Sequence, residues 1–182
     1  MSVTIRYQGS LSAESKAKIE ELQEEFLDIA ITSAWPSEIV DGAYSSLKAE
    51  AFKGRARGSS ALKTLKPALT LRGIKLTVNP QTDPLWFTFD ADSNLTRLSY
   101  YAVDHYPGRA AEAMGPSRRY EFVHQSQASI QTTLGGVELH LCVIHLLDRL
   151  KAGYVPDLEV SDDSGYWGHR DEALLKAALA RR

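Results

Sequence analysis

Apolar positions change their spacing several times along the chain, and each change predicts an element. Val3, Ile5 and Tyr7 alternate with Thr4, Arg6 and Gln8, the two-residue period of a strand with one buried face, and Gly9-Ser10 ends it. Ile19, Leu22, Phe26, Ile29 and Ala30 then recur at helical spacing behind Ser12, whose hydroxyl suits an N-cap. Pro36 pushes Trp35 out of the helical region, so this helix is expected to stop near Trp35. Its outer face carries Glu20, Glu21, Glu24, Glu25 and Asp28. From 37 to 69 the pattern weakens into an irregular, basic segment punctuated by Gly42, Gly54 and Gly58, with a short helix expected over 43–52.

A β-rich section follows. Leu71 to Val78, Leu85 to Phe89 and Leu95 to Val103 read as three short strands with tight connections, which predicts an antiparallel meander. Pro107, Gly108, Gly115 and Pro116 make 106–119 a long excursion, and the chain returns as a strand over 120–131. Glutamines, serines and His124 put polar residues on both faces of that strand, so it is expected at a water-facing edge or beside a cavity.

The densest apolar stretch is Gly135 to Leu150, where leucines at 139, 141, 146, 147 and 150 stand with Cys142, Val143 and Ile144. Such a helix is apolar around most of its circumference and belongs in the interior. Gly153 and Pro156 provide its stop. Residues 157–169 form an acidic aromatic loop, and 171–179 a short helix with Leu174, Leu175, Ala178 and Leu179 along one edge. The expected architecture is a single α+β domain over 1–182, with a mainly antiparallel sheet, two principal helices on one face and a short C-terminal helix.

Totals narrow the function classes. The chain has 182 residues, 43% of them hydrophobic and 24% charged, which is ordinary globular composition. A single cysteine excludes an intramolecular disulfide. The first residues lack a basic head and an apolar run, and His145 interrupts the longest apolar stretch, so the reading is a cytoplasmic protein without a membrane span. Charge is segregated: residues 48–75 carry eight basic side chains against the single acid Glu50. This segment is a candidate for phosphate-driven nucleic-acid binding, but the net charge of −2 and the near absence of interleaved aromatics argue against it.

Chemistry concentrates around the apolar helix. Thr132, Thr133, Gly135 and Gly136 precede its N-terminus, where free N–H groups and the helix dipole favour an anion. The competing reading is ordinary capping, with Gly135 as N-cap and Glu138 reaching back to it. His140 shares a helix face with Val137, Ile144 and Leu147 and points inward, whereas His145 falls with Glu138, Cys142 and Arg149 on a polar edge. In an enzyme, His140 would carry the proton and Glu138 orient it, with Asp162, Tyr166 and Trp167 completing the ligand site. Asp90 to Asn94 mimics the first half of a calcium loop but lacks its glycine and closing glutamate, so it reads as a hairpin turn. No spacing points to a metal or a cofactor, and no Gly-x-Ser-x-Gly or nucleotide-binding glycine motif is present.

From His140 through Tyr154-Val-Pro-Asp-Leu-Glu159 to Asp162-Asp-Ser-Gly-Tyr-Trp167, the last third resembles a group of small uncharacterised bacterial proteins that pair an apolar helix with an acidic Gly-Tyr-Trp stretch. Gly168 departs from that pattern, which has a glutamate there. The resemblance implies a shared domain and no assigned activity. The leading expectation is therefore a non-catalytic binding or accessory module acting on a protein partner or as a homo-oligomer. The alternative is a small-molecule enzyme or receptor holding an anionic ligand at the N-terminus of helix 135–151.

Overall fold

A computed structural model describes residues 2–44, 69–102, 120–125 and 127–180. In chain order the elements are β1 (Thr4–Gln8), α1 (Ala13–Lys16), α2 (Ile19–Thr32), β2 (Ser37–Tyr44), β3 (Leu69–Leu76), β4 (Leu85–Phe89), β5 (Arg97–Ala102), β6 (Tyr120–Gln125), β7 (Ala128–Gln131), α3 (Gly136–Gly153), β8 (Glu159–Asp162), α4 (Tyr166–His169) and α5 (Glu172–Ala180). All strand pairing is antiparallel, in sheets of order β7-β1-β8 and β2-β3-β4 and a β5-β6 pair. The fold is α+β, as expected. None of its helices is long and apolar enough to cross a membrane among the described residues.

The alternating N-terminal residues form a central strand. Ile5 faces Ile130 on one side and Asp162 on the other, so β1 joins segments far from it in sequence. Val3, Ile5 and Tyr7 are buried as their period requires. Tyr7 also ties the two three-stranded sheets together. Its hydroxyl donates to the Trp86 carbonyl at 3.2 Å and accepts the Trp86 N–H at 3.0 Å, satisfying both backbone groups of a β4 residue. Burial pushes its phenol pKa up, which keeps the hydroxyl proton that this double role needs.

Several expectations change in detail. Ser12 does cap a helix, accepting the Ser15 N–H at 3.1 Å, but that helix is the single turn α1, and α2 starts afresh at Ile19. Residues 37–44 are a strand rather than irregular, paired along their full length with β3; the helix expected over 43–52 begins on that strand and otherwise lies outside the described residues. The meander is replaced by β2-β3-β4, with β5 turning away to pair β6. The hairpin at Asp90 to Asn94 forms, but Gly9 and Leu11 capture the backbone of Leu95 and Ser93, and the β4 to β5 ladder stops at the Phe89–Leu95 bridge and the bond from Thr96 N–H to the Thr88 carbonyl. The strand expected over 120–131 is two strands in different sheets. Gln127 and Gln131 are exposed and Ser129 is half-buried, so the polar row at this end faces water instead of a cavity.

The main core gathers Phe26 and Leu22 of α2, Phe87 and Phe89 of β4, Ile5 and Ile130 of the other sheet, and Val143, Ile144, Leu147 and Leu150 of α3. At the edge of the core, Glu25 of α2 accepts from Arg149 and, at 2.7 Å, from the Tyr154 hydroxyl, joining α2 to the end of α3. A second, smaller cluster lies apart: Val3, Leu175 and Leu179, with Val137, Leu141, Tyr166 and Ala178 against it. It is the seat of α5.

Candidate functional site

The turn between β7 and α3 is tied inward. Thr132 N–H and Thr133 Oγ1 clamp Val3: the former donates to the Val3 carbonyl at 2.9 Å and the latter accepts the Val3 N–H at 2.7 Å. The N–H groups of Gly135 and Gly136 both donate to the Thr132 carbonyl at 3.1 Å. The two glycines are required for different reasons. A β-carbon on Gly135 would lie 2.4 Å from Leu139 Cβ, whereas Gly136 has open space but a φ of +67°. Two of the donors expected to receive an anion, the N–H groups of Gly135 and Gly136, are therefore spent within the chain. The capping box expected here is absent too: α3 has no side-chain cap bond, and Glu138 is exposed.

His140 sits one turn into α3 with no exposed surface. Its Nδ1 lies 2.9 Å from Thr132 Oγ1 and its Nε2 lies 3.2 Å from Asp162 Oδ2. With Asp162 ionised, a proton on Nε2 faces the carboxylate, while Nδ1 pairs with the threonine hydroxyl, which also lies 3.4 Å from the Val3 carbonyl. The acid beside His140 is thus Asp162 at the end of β8. Residues two apart on a helix do not share a face, so Glu138 cannot serve the role assigned to it.

Asp162 is a hub. Its side chain is 1% exposed and takes the Ser164 N–H and hydroxyl at 2.8 Å and the Trp167 N–H at 3.0 Å, besides facing His140. Burial opposes its ionisation, but the bonds from His140, the backbone at Ser164 and Trp167, and the Ser164 hydroxyl outweigh that and hold its pKa at about 2. Ser164 Oγ also lies 3.3 Å from His140 Nε2 and accepts the Tyr166 N–H at 3.2 Å. Ser164 was not singled out from the sequence. The signal for it is Asp162-x-Ser164-Gly165, an Asx turn whose acid bonds the N–H two residues on.

Tyr166 presents its ring edge-on to His140, with centroids 6.0 Å apart. Trp167 packs on the main core, with Lys151 at 5.9 Å and Arg170 at 4.7 Å from its ring. Arg170 also forms a two-pronged pair with Asp148 of α3 at 2.8 and 2.9 Å. Both aromatics therefore pin the acidic stretch to the body. The structure brings Thr132, His140, Asp162, Tyr166 and Trp167 into one neighbourhood, and leaves Glu138 outside it.

Connectivity here is hydroxyl, imidazole, carboxylate, the order of a proton relay. Thr132, the hydroxyl at its far end, is fully buried. Ser164 is nearer the surface but shares the Nε2 side of the ring with Asp162, so His140 does not stand between serine and acid. Elsewhere, burial pushes the Cys142 thiol up, away from the thiolate of a nucleophile. Arg72 pairs with Asp41 and Glu20, and Lys75 with Glu38, so these two cations of the basic run face acids; 48–66 lie outside the described residues. No group of three or more His, Cys, Asp or Glu is placed to hold a metal ion among the described residues. In comparisons with known proteins, no family model, no curated protein and no solved structure matches this chain.

Proposed function

We propose that this protein is a non-catalytic binding or accessory module that engages a protein partner through the acidic outer face of α2. The observation that carries the non-catalytic half is the sealing of the relay: Thr132 and His140 have no exposed surface, and the threonine hydroxyl and both ring nitrogens meet partners from the chain itself. A group that no solvent reaches does not meet a substrate, and a fully satisfied buried network fixes a structure. On this reading the network is a clasp between the β7–α3 turn and the β8–α4 turn.

The partner half is supported by the helix surface. Glu21, Glu24 and Asp28 are exposed along one stripe of α2, beside a Glu20 that pairs with Arg72, and Ile31, one turn beyond Asp28, is 67% exposed. Such charges steer a basic partner, and the isoleucine offers an apolar contact beside them.

A fluorophosphonate probe tests the first half. The wild type is expected to stay unlabelled; labelling of Ser164 or Thr132 that disappears in His140→Gln overturns the reading in favour of an enzyme. For the second half, a partner that co-purifies with the wild type is expected to rebind as a purified component in a salt-sensitive way and to be lost with Glu24→Lys and Asp28→Lys. Rebinding indifferent to salt and to both substitutions overturns the α2 assignment.

A further inference from the structure

The link between α4 and α5 is two residues, Arg170 and Asp171, and its bend is set by Arg170, a non-glycine residue in the left-handed region at φ 55° and ψ 31°. A side chain with a β-carbon resists that conformation, so the bend is held by other contacts. Those contacts are visible: the guanidinium grips Asp148 with both prongs and stacks on Trp167. On the far side of the bend, α5 is attached by Leu175 and Leu179, its two buried residues. They rest with Val3, Val137, Leu141 and Tyr166 in a small cluster that touches the main core through Tyr166.

If Arg170 and Asp171 both move to the right-handed region, at the expense of the α5 cap in which the Asp171 carboxylate accepts the Ala173 N–H at 2.8 Å, α4 and α5 become one continuous helix over 166–180 and both leucines leave their seat. We propose that α5 is exchangeable, and that two copies of this chain trade α5 helices, each copy's Leu175 and Leu179 filling the other's seat at Val3, Val137 and Leu141. The occupant follows from complementarity: a second copy presents the same helix to the same seat, recovers the apolar contacts of Leu175 and Leu179 and releases the bend at Arg170 in both chains. Short hinges under strain favour such exchange. The inference is independent of the partner reading of α2.

The test is molar mass by light scattering across a concentration series, with circular dichroism to verify folding. Arg170→Ala loses the grip on Asp148 and keeps the β-carbon, and is expected to raise the dimerisation constant at least tenfold over wild type. Arg170→Gly accepts the bend without strain and is expected to fall below Arg170→Ala by a similar factor. Adding Leu175→Glu and Leu179→Glu to Arg170→Ala is expected to return the chain to monomer, because two carboxylates cannot fill the apolar seat at Val3. The proposal is overturned if Arg170→Ala stays monomeric at every concentration, if Arg170→Gly dimerises as strongly as Arg170→Ala, or if the dimer survives the two glutamates.

Discussion

Two of the attachments that hold the segment after β8 to the body are made of opposite materials. The clasp at Asp162 is polar, sealed and over-determined: one carboxylate receives His140, the Ser164 backbone and hydroxyl, and the Trp167 N–H. The seat of α5 is apolar and shallow, with Leu175 and Leu179 buried while Leu174 beside them is 48% exposed. Directional bonds to a buried charge specify one partner and are costly to leave unmade. Apolar contact is non-directional, so the seat takes any helix of the right shape, a second copy's included.

The sharpest way to break the comparison is at the carboxylate. Asp162→Ala orphans a buried imidazole and several N–H and O–H donors at once, and is expected to cost about 3–5 kcal/mol by urea denaturation. A loss under about 1 kcal/mol, the level of an ordinary surface change, would mean that the clasp holds nothing.

Acid acts on the same group. Its folded pKa of about 2 lies below the ordinary 3.8, so the ionised carboxylate contributes fully at neutral pH and its contribution fades as pH falls through that range. This amounts to about 2 kcal/mol lost between roughly pH 5 and pH 2, and the side chain is too buried for solvent to screen it. Asp162→Asn is expected to lack that part of the acid limb. An unchanged acid limb in the variant would assign the loss to other carboxylates.

The seat answers to size rather than charge. Leu175→Ala is expected to cost about 2 kcal/mol, the lower end for a buried leucine, because the site is peripheral and can collapse. Leu174→Ala, on the exposed side of the same turn, is expected to change stability by less than about 0.5 kcal/mol. Equal effects of the two would show that α5 is seated in another rotation about its axis.

Much of this was legible in the residues, because helices and strands leave their period in neighbouring positions. The inward turn of His140 and the outward turn of His145 follow from the face each occupies on α3, and the burial of Val3, Ile5 and Tyr7 from their alternation. The strand at Ser37–Tyr44 was missed because a glycine and mixed polar residues blur its period, and its pairing with β3 supplies what propensity lacks. The role given to Glu138 failed for a plain reason: nearness in sequence was taken for nearness in space, and the acid that reaches His140 is 22 residues away.

By itself the sequence determined the two principal helices and the central position of α3 in the core, since these rest on residues within a few positions of one another. Only the tertiary structure decided that β1 lies between residues 128–131 and 159–162, that Thr132 and Asp162 meet on opposite sides of one imidazole, and that α5 rests on Val3. Those contacts close loops of many tens of residues in several cases, and no local period records which distant segment fills a given side of a strand or ring.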